Sequence, residues 1–561
     1  MTIRMQLRVP PLLLAVPLLG IARLLPGEGV GLWLRLAAAT LVLLLPGRLV
    51  ARALGRPGAS GALAWSCALV AGALAFTFAV HGSLDLTLAL VLVAGVVALP
   101  FSRRPKPRED ARAQRGRALI ALAGIGLGIA LWSVEGVVHG DALFHLGRMR
   151  KLLDFGSLSL RTVDEFKDGG LHPGYAFPLW HGWLALVAKL AGVDPTAVVL
   201  HESSILAPLA LVLAFEVGRA VFRSAWLALA TMLAQVAMIA LAPGGGGAYT
   251  SLELPGTAAR QLFVPAVIAL FFRFVRKPGW SLALTLAAAG TALAFVHPTY
   301  ALFVAIPLIG FGLARVLIAG VDARASAGAL LAFGSPVLLV FAWLLPIVRE
   351  TRSHNPNALE RLAQLKQYAT DLAVSSTSSY HLAPGIVARA GAVAVAGLVL
   401  VPLAGLAGRR RWSAFVLGGA VLVLALELSP FLFPHFSDLV SLSQSRRAAG
   451  FVPFAFALAG GAAVLARFTG LFLPPAALAA GVVLQLEFPG DFGPKLREGG
   501  PPVATWIALW GSLAGLVVAA LLVRFRRGGG LERPGPVAAL AVSLLVAPVA
   551  VYGFAHWDAH V

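Results

Sequence analysis

Residues 118–134 read Ala118-Leu-Ile-Ala-Leu-Ala-Gly-Ile-Gly-Leu-Gly-Ile-Ala-Leu-Trp-Ser-Val134, with no charged side chain among them. A run of this composition and length is a membrane-crossing helix. On one side of it lies the most basic loop of the chain, Phe101-Ser-Arg-Arg-Pro-Lys-Pro-Arg-Glu-Asp-Ala-Arg-Ala-Gln-Arg-Gly-Arg117. On the other lies Val138-His-Gly-Asp-Ala-Leu-Phe-His-Leu-Gly-Arg148, with an acid and a histidine one helical turn apart. Cytoplasmic loops collect Lys and Arg, so the basic loop is expected inside and Asp141 outside. Ionisable groups at a membrane boundary are costly to desolvate and are usually kept for a task.

The rest of the chain repeats the pattern of the first run. Of its 561 residues, 59% are hydrophobic and 12% charged, and the mean hydropathy is +0.85. Roughly 16 to 18 stretches are apolar enough to be spans. They include 30–53, 62–80, 84–100, 199–217, 282–295, 300–317, 327–347, 385–406, 503–523 and 537–554. Irregular backbone is not tolerated in lipid, so the expected fold is all-α, a polytopic transmembrane helical bundle. Outer-face loops with short amphipathic helices would complete it. The net charge of +20 sits in short loops between spans, which excludes nucleic acid as a partner. The only cysteine, Cys67, lies within a span, so there is no disulfide framework. The N-terminus resembles a signal peptide, lacks a small-residue cleavage site and reads as a retained span.

The segment 175–190 decides the topology. It is short and carries Pro178, His181 and Lys189. A full crossing would put every later basic loop outside. A re-entrant or interfacial segment puts Arg219, Arg223, Arg273, Arg276, Lys277, Arg315, Arg324 and Arg409 to Arg411 inside, and this is the topology expected. All twelve histidines then fall on the outer face or its boundary. So do the polar loops 138–174, 349–384, 433–449 and 487–502.

Those outer loops carry the candidate chemistry. Asp141 and His145 share a face if their segment is helical. Asp164-Glu165-Phe-Lys-Asp168 is a second acidic group, and Leu171-His172-Pro-Gly-Tyr-Ala-Phe-Pro-Leu-Trp-His181 re-enters apolar sequence. Acids flanking an amphipathic piece suit general-base work or metal binding, and equally a solvated, helix-capping loop. Arg260 opens an apolar span, and His297-Pro-Thr-Tyr300 marks another boundary. A snorkelling arginine and a helix-end histidine explain these as well as ligand binding does. Residues 357–368 read as an amphipathic helix lying in the interface, as a packing helix or as a lid. Arg446 and Arg447 break the positive-inside rule at an outer boundary and suit phosphate recognition, whether of ordinary headgroups or of one specific lipid. The Gly244–Gly247 run reads as a flexible loop, and the tail His556-Trp-Asp-Ala-His560 as a frayed end. No P-loop, His-Glu-x-x-His or dinucleotide motif occurs.

With these motifs the chain resembles the GT-C superfamily of polytopic glycosyltransferases, which use polyprenyl-phosphate-linked sugars. The resemblance rests on Gly140-Asp141-Ala-Leu-Phe-His-Leu-Gly-Arg-Met-Arg-Lys-Leu-Leu just after a span. It rests also on the proline- and aromatic-rich re-entry His172-Pro-Gly-Tyr-Ala-Phe-Pro-Leu-Trp-His-Gly-Trp-Leu-Ala-Leu-Val-Ala-Lys-Leu-Ala-Gly-Val-Asp-Pro195. It is best over residues 118–225. Where the family often has adjacent acids, Ala142 follows Asp141 here.

The resemblance implies N-terminal helices with a basic loop over 1–117, a GT-C-like catalytic core over 118–450 and C-terminal helices over 451–561. It implies an inverting transfer on the extracytoplasmic face of the cell (inner) membrane, with Asp141 as general base. His145 and one acid among Asp164, Glu165 and Asp168 would assist, orienting the acceptor or holding a divalent ion, Mg or Mn. Arg446, Arg447 and Arg260 would hold the phosphate, beside His172, His297 and Tyr300. The partners implied are a lipid-linked sugar donor, a glycan, lipid or protein acceptor, and membrane lipids. A transporter or flippase, a polysaccharide polymerase or ligase, and a non-catalytic scaffold are the competing readings.

Overall fold

The structure is a computed structural model of the chain. It describes residues 11–55, 58–102, 111–134, 136–164, 170–239, 248–350, 356–490, 499–525 and 535–555. Glu165, Asp168, the Gly244–Gly247 run, His556 to His560 and most of the basic loop after Ser102 lie outside the described residues.

Among the described residues eleven helices are long and apolar enough to cross a membrane, and four shorter apolar helices join them. One of the eleven, Leu442–Glu487, is a bent series of helices. The polytopic all-α bundle expected from hydropathy is what forms. A short helix α1 (Ala15–Ala22) precedes α2 (Gly29–Ala53), α3 (Ala59–Ala79), α4 (Leu84–Phe101) and α5 (Ala111–Trp132). The site segments α6 (Asp141–Asp154) and α7 (Leu179–Ala191) come next, then α8 (Pro195–Phe222) and α9 (Ala225–Ile239). A short α10 (Pro255–Ala258) runs through a π-helical turn, Ala259–Phe263, into α11 (Val264–Arg276). The helices α12 (Trp280–Val296), α13 (Pro298–Ala319) and α14 (Ala323–Arg349) lead to the long polar loop.

That loop holds α15 (Ala358–Gln367), capped reciprocally by Asn357 and Glu360. A hairpin not foreseen from the sequence follows, β1 (Leu372–Ser376) against β2 (Ser379–Leu382). The expected span 385–406 is broken into α16 (Pro384–Val387), α17 (Ala392–Leu400) and a 3-10 segment, Val401–Ala407. Pro402 accounts for the last break, since a proline inside a helix removes a backbone bond. After α18 (Arg411–Leu428), the short α19 (Leu432–Val440) and α20 (Leu442–Ser445) lead to a 3-10 turn, Arg446–Phe451. The chain finishes with α21 (Phe454–Thr469), α22 (Leu473–Glu487), α23 (Pro502–Arg524) and α24 (Gly535–Ala555).

Burial sorts these helices. In Pro255–Arg276, 89% of the apolar window is buried, against 22% in Ala323–Arg349. The first is therefore the centre of the bundle and the second its lipid-facing rim. Small residues let helix backbones approach in membranes. At the crossing of α13 and α18, a Cβ on Gly310 would lie 2.2 Å from the Gly418 carbonyl oxygen. No side chain fits there.

Ion pairs define the two ends of the bundle. At one end, Glu216 accepts from the Ala59 and Ser60 amides at 2.9 and 3.1 Å, the Ser60 hydroxyl at 2.7 Å and Arg273 at 3.2 Å. Asp322 holds Arg315 at 3.0 Å and Arg411 at 2.8 Å. Arg276 feels the charges of Arg411, Arg223 and Arg273, so these basic loops share one end. At the other end, Lys189 at the close of α7 meets Asp85 in the first turn of α4 at 2.9 Å. Asp194, just beyond α7, meets Arg150 of α6 at 3.3 Å. Segment 175–190 thus returns to the side from which it started and does not cross.

Candidate functional site

The site begins at a backbone turn. Gly140 has φ +57° and ψ −129°, a conformation that only glycine adopts without strain. It turns the chain so that α6 starts at Asp141. The Asp141 side chain stays exposed in the first turn, while Ala142, His145, Leu146, Arg148, Met149 and Leu152 are buried.

His145 points inward from α6 and shares a hydrogen bond of 2.7 Å with His181 of α7, Nδ1 to Nε2. Their rings stack at 5.0 Å. Tyr175 presents its edge to His145 and His181 at 5.3 and 5.8 Å, stacks on His172 at 4.9 Å and faces His297 at 6.2 Å. His297 in turn stacks on Tyr300 at 4.0 Å. Four histidines from three parts of the chain therefore surround one tyrosine, and the Asp141 charge is felt at both His172 and Tyr175.

Burial, then the neighbouring Arg148 charge, then His172, hold the His145 imidazole down to about 3. Burial and Arg148 hold His172 down to about 4, against the pull of Asp164 and Asp141. Burial, with Tyr300 beside it, raises the Tyr175 phenol to about 12, so Tyr175 remains a neutral donor. His145 is thus neutral in the fold and protonates near pH 6.5 when unfolded. Its contribution is full above pH 6.5 and falls as pH drops towards 3. We expect stability to drop by about 2 kcal/mol between pH 6.5 and pH 5 through this residue. Thermal unfolding in detergent across that range checks it: His145→Gln should flatten the slope, and an unchanged slope would refute the assignment.

The arginines divide. Arg260 sits within the π-helical turn and donates to the Gly450 carbonyl at 3.4 Å. It feels Tyr300 and Arg447, and Arg447 is also felt at Tyr175 and His297. Asp141, Tyr175, His297, Tyr300, Arg260 and Arg447 thus belong to one neighbourhood. Arg446, although within the field of Arg447, is engaged elsewhere. It pairs with Asp371, which Arg389 also grips at 3.2 Å, and lies over the Tyr368 ring at 3.8 Å. Arg446 therefore ties the long polar loop to the bundle. From Arg260 a narrow apolar cleft of about 80 Å³ runs between α9, α11, α13 and α21, lined by Gln235, Met238, Ile268, Val304 and Phe456.

The acids divide as well. Asp164 pairs with the fully buried Arg148 at 3.7 Å and accepts from the His172 amide at 3.0 Å. These contacts anchor the loop under the site. Among the described residues no group of three or more His, Cys, Asp or Glu side chains is arranged to hold a metal ion. The donor set needed for Mg or Mn is not met among them. Tyr175 and His181 were quoted above only as part of the re-entry motif. The partners His145 and His297 lie tens of residues away from them, and no local spacing signals those contacts.

A family model described as a family of unknown function (DUF6541) matches residues 40–428. The match takes in Asp141, the histidines and Arg260, and ends before Arg447. No curated protein matches the chain. Among solved structures, the arabinosyltransferase EmbB from Mycobacterium smegmatis is similar at 16% identity and a TM-score of 0.37, over 83% of this chain and 44% of that one. The chain thus spans less than half the length of that protein. Since the family match covers well over half of the 561 residues, the chain belongs to this family of unknown function, DUF6541.

Proposed function

We propose that the protein is a membrane glycosyltransferase of the GT-C kind, which transfers a sugar from a polyprenyl-phosphate donor to an acceptor hydroxyl. The observation that carries this reading is that the exposed carboxylate Asp141 and the guanidinium of Arg447 both act on Tyr175, while Arg260, within the field of Arg447, lines an apolar cleft. Asp141 takes the proton of the acceptor hydroxyl. The acceptor oxygen attacks the anomeric carbon from the face opposite the phosphate. The new glycosidic bond forms as the bond between that carbon and the phosphate oxygen breaks, and the configuration inverts. Arg447 and Arg260 neutralise the charge that builds on the departing lipid phosphate. The cleft takes the prenyl chain, whose apolar units match its lining.

The positive-inside rule puts the basic end in the cytoplasm and Asp141 on the extracytoplasmic face of the cell membrane. Nucleotide sugars are absent there, which suits a donor delivered on lipid. In this scheme His172, His297, Tyr175 and Tyr300 contact the sugar and acceptor. His145, paired with His181, orients Tyr175 in this scheme.

Assay of membranes with labelled polyprenyl-monophosphate sugars tests the reading directly. Arg447→Ala should lower kcat/KM by about tenfold, with Arg447→Lys recovering part of it. Equal turnover by wild type and Arg447→Ala would remove Arg447 from the donor site.

One observation favours a transporter instead. Glu202 and Glu253 are buried carboxyls, hydrogen-bonded to Thr40 and Ser203 respectively, and intramembrane carboxyls often mark proton relays. That reading predicts proton-coupled solute flux in proteoliposomes that survives Asp141→Asn.

A further inference from the structure

The basic end of the bundle holds a second site, unrelated to Asp141. A pocket of about 270 Å³ opens between α5, α8, α9 and α11, lined by Arg117, Arg219, Arg273, Arg276, Glu216 and Phe215. Positive-inside loops ordinarily fan out into water. Here four guanidinium groups line one concavity, with Arg223 and Arg411 within electrostatic range of Arg276.

Among the described lining residues the one acid, Glu216, does not balance Arg219, Arg273 and Arg276. Glu216 is already engaged by the Ala59 and Ser60 amides, the Ser60 hydroxyl and Arg273. Arg276 donates one Nη to the Val221 carbonyl at 3.3 Å, but its Nε is buried with no partner. A buried donor left unpaired is costly, and a multidentate anion satisfies it.

The level of the pocket identifies the anion. Trp226, beside the lining residue Ala225, and Trp280, after α11, are exposed at the basic end. Tryptophan collects at the headgroup level of a bilayer. The walls at Phe215, Ala220 and Ala225 are apolar. A guanidinium-lined pocket between membrane helices, at headgroup depth and with apolar walls, matches a phospholipid better than a free ion.

We propose that this pocket binds the phosphate of an anionic phospholipid from the leaflet opposite Asp141. Each arginine near such a headgroup contributes about 1 kcal/mol. Removing two should therefore weaken binding by about thirtyfold.

The test uses the full chain purified in neutral detergent. Dioleoylphosphatidylglycerol, dioleoylphosphatidylcholine or inorganic phosphate is titrated in, with the shift in Tm and the lipid retained in native mass spectra as readouts. Phosphatidylglycerol should raise Tm and be retained by wild type. Arg219→Gln with Arg276→Gln should lose both effects, and the corresponding double lysine variant, which keeps the charge, should recover most of them. Equal protection by phosphatidylcholine, or by inorganic phosphate, would overturn the proposal. So would unchanged retention in the double glutamine variant. None of these readouts depends on sugar transfer, so the result is independent of the function proposed for the other face.

Discussion

Asp141→Asn is expected to reduce sugar transfer by at least about a hundredfold, the lower range of what a positioned general base contributes. The amide keeps the size and most of the hydrogen-bonding shape of the carboxylate but cannot take the acceptor proton. The loss should therefore fall on kcat, with the donor KM little changed, because Arg260 and Arg447 remain in place. Stability should change little. Asp141 is exposed in the first turn of α6, and the variant forfeits only its interaction with the helix dipole, about 0.3–1 kcal/mol. Initial-rate kinetics with a labelled polyprenyl-monophosphate sugar, alongside thermal unfolding, separate the two effects. Turnover within threefold of wild type would end the assignment of Asp141 as base. A collapse in stability would instead give it a structural task.

The spans were legible because lipid imposes one strong requirement. A helix must stay apolar for its whole crossing, so 84–100 in the sequence is Leu84–Phe101 in the structure. The return of segment 175–190 was legible from the parity of the arginines. The interior of the site was less so. Asp141 and His145 do lie one turn apart, but helix position decides their fates: the first projects from the free end and the second packs against α7. The His145–His181 pair joins residues on separate helices, which no local pattern reports. Arg446 and Arg447 read as one phosphate clamp. Successive residues in a 3-10 turn point about a third of a circle apart, so Arg446 meets Asp371 while Arg447 acts at Tyr175 and His297. The π-helical turn at Arg260 has no sequence signature, although such turns are frequent at functional sites.

Asp164→Asn should behave in the opposite way to Asp141→Asn. Arg148 is fully buried, and Asp164 lies 3.7 Å from it with a side chain that is only 5% exposed. The Phe144 ring faces the Arg148 guanidinium at 5.5 Å but carries no charge to neutralise it. Removing one partner of a buried pair weakens the neutralisation of the other, at a cost of up to about 3–5 kcal/mol. The acceptor for the His172 amide also weakens, so the base of the loop beneath Tyr175 should loosen. The expected result is a large fall in Tm and a low yield of folded protein. Transfer by the surviving folded fraction, normalised to active sites, should stay within about tenfold of wild type. Replacing both members, Arg148→Met with Asp164→Leu, should recover much of the stability, because an apolar pair needs no neutralisation. If Asp164→Asn instead left Tm unchanged and abolished turnover, Asp164 would act on substrate, and the loop it closes would be part of the reacting surface. The ion pair with Arg148 favours the structural outcome: the carboxylate is already turned to a buried guanidinium and to the His172 amide.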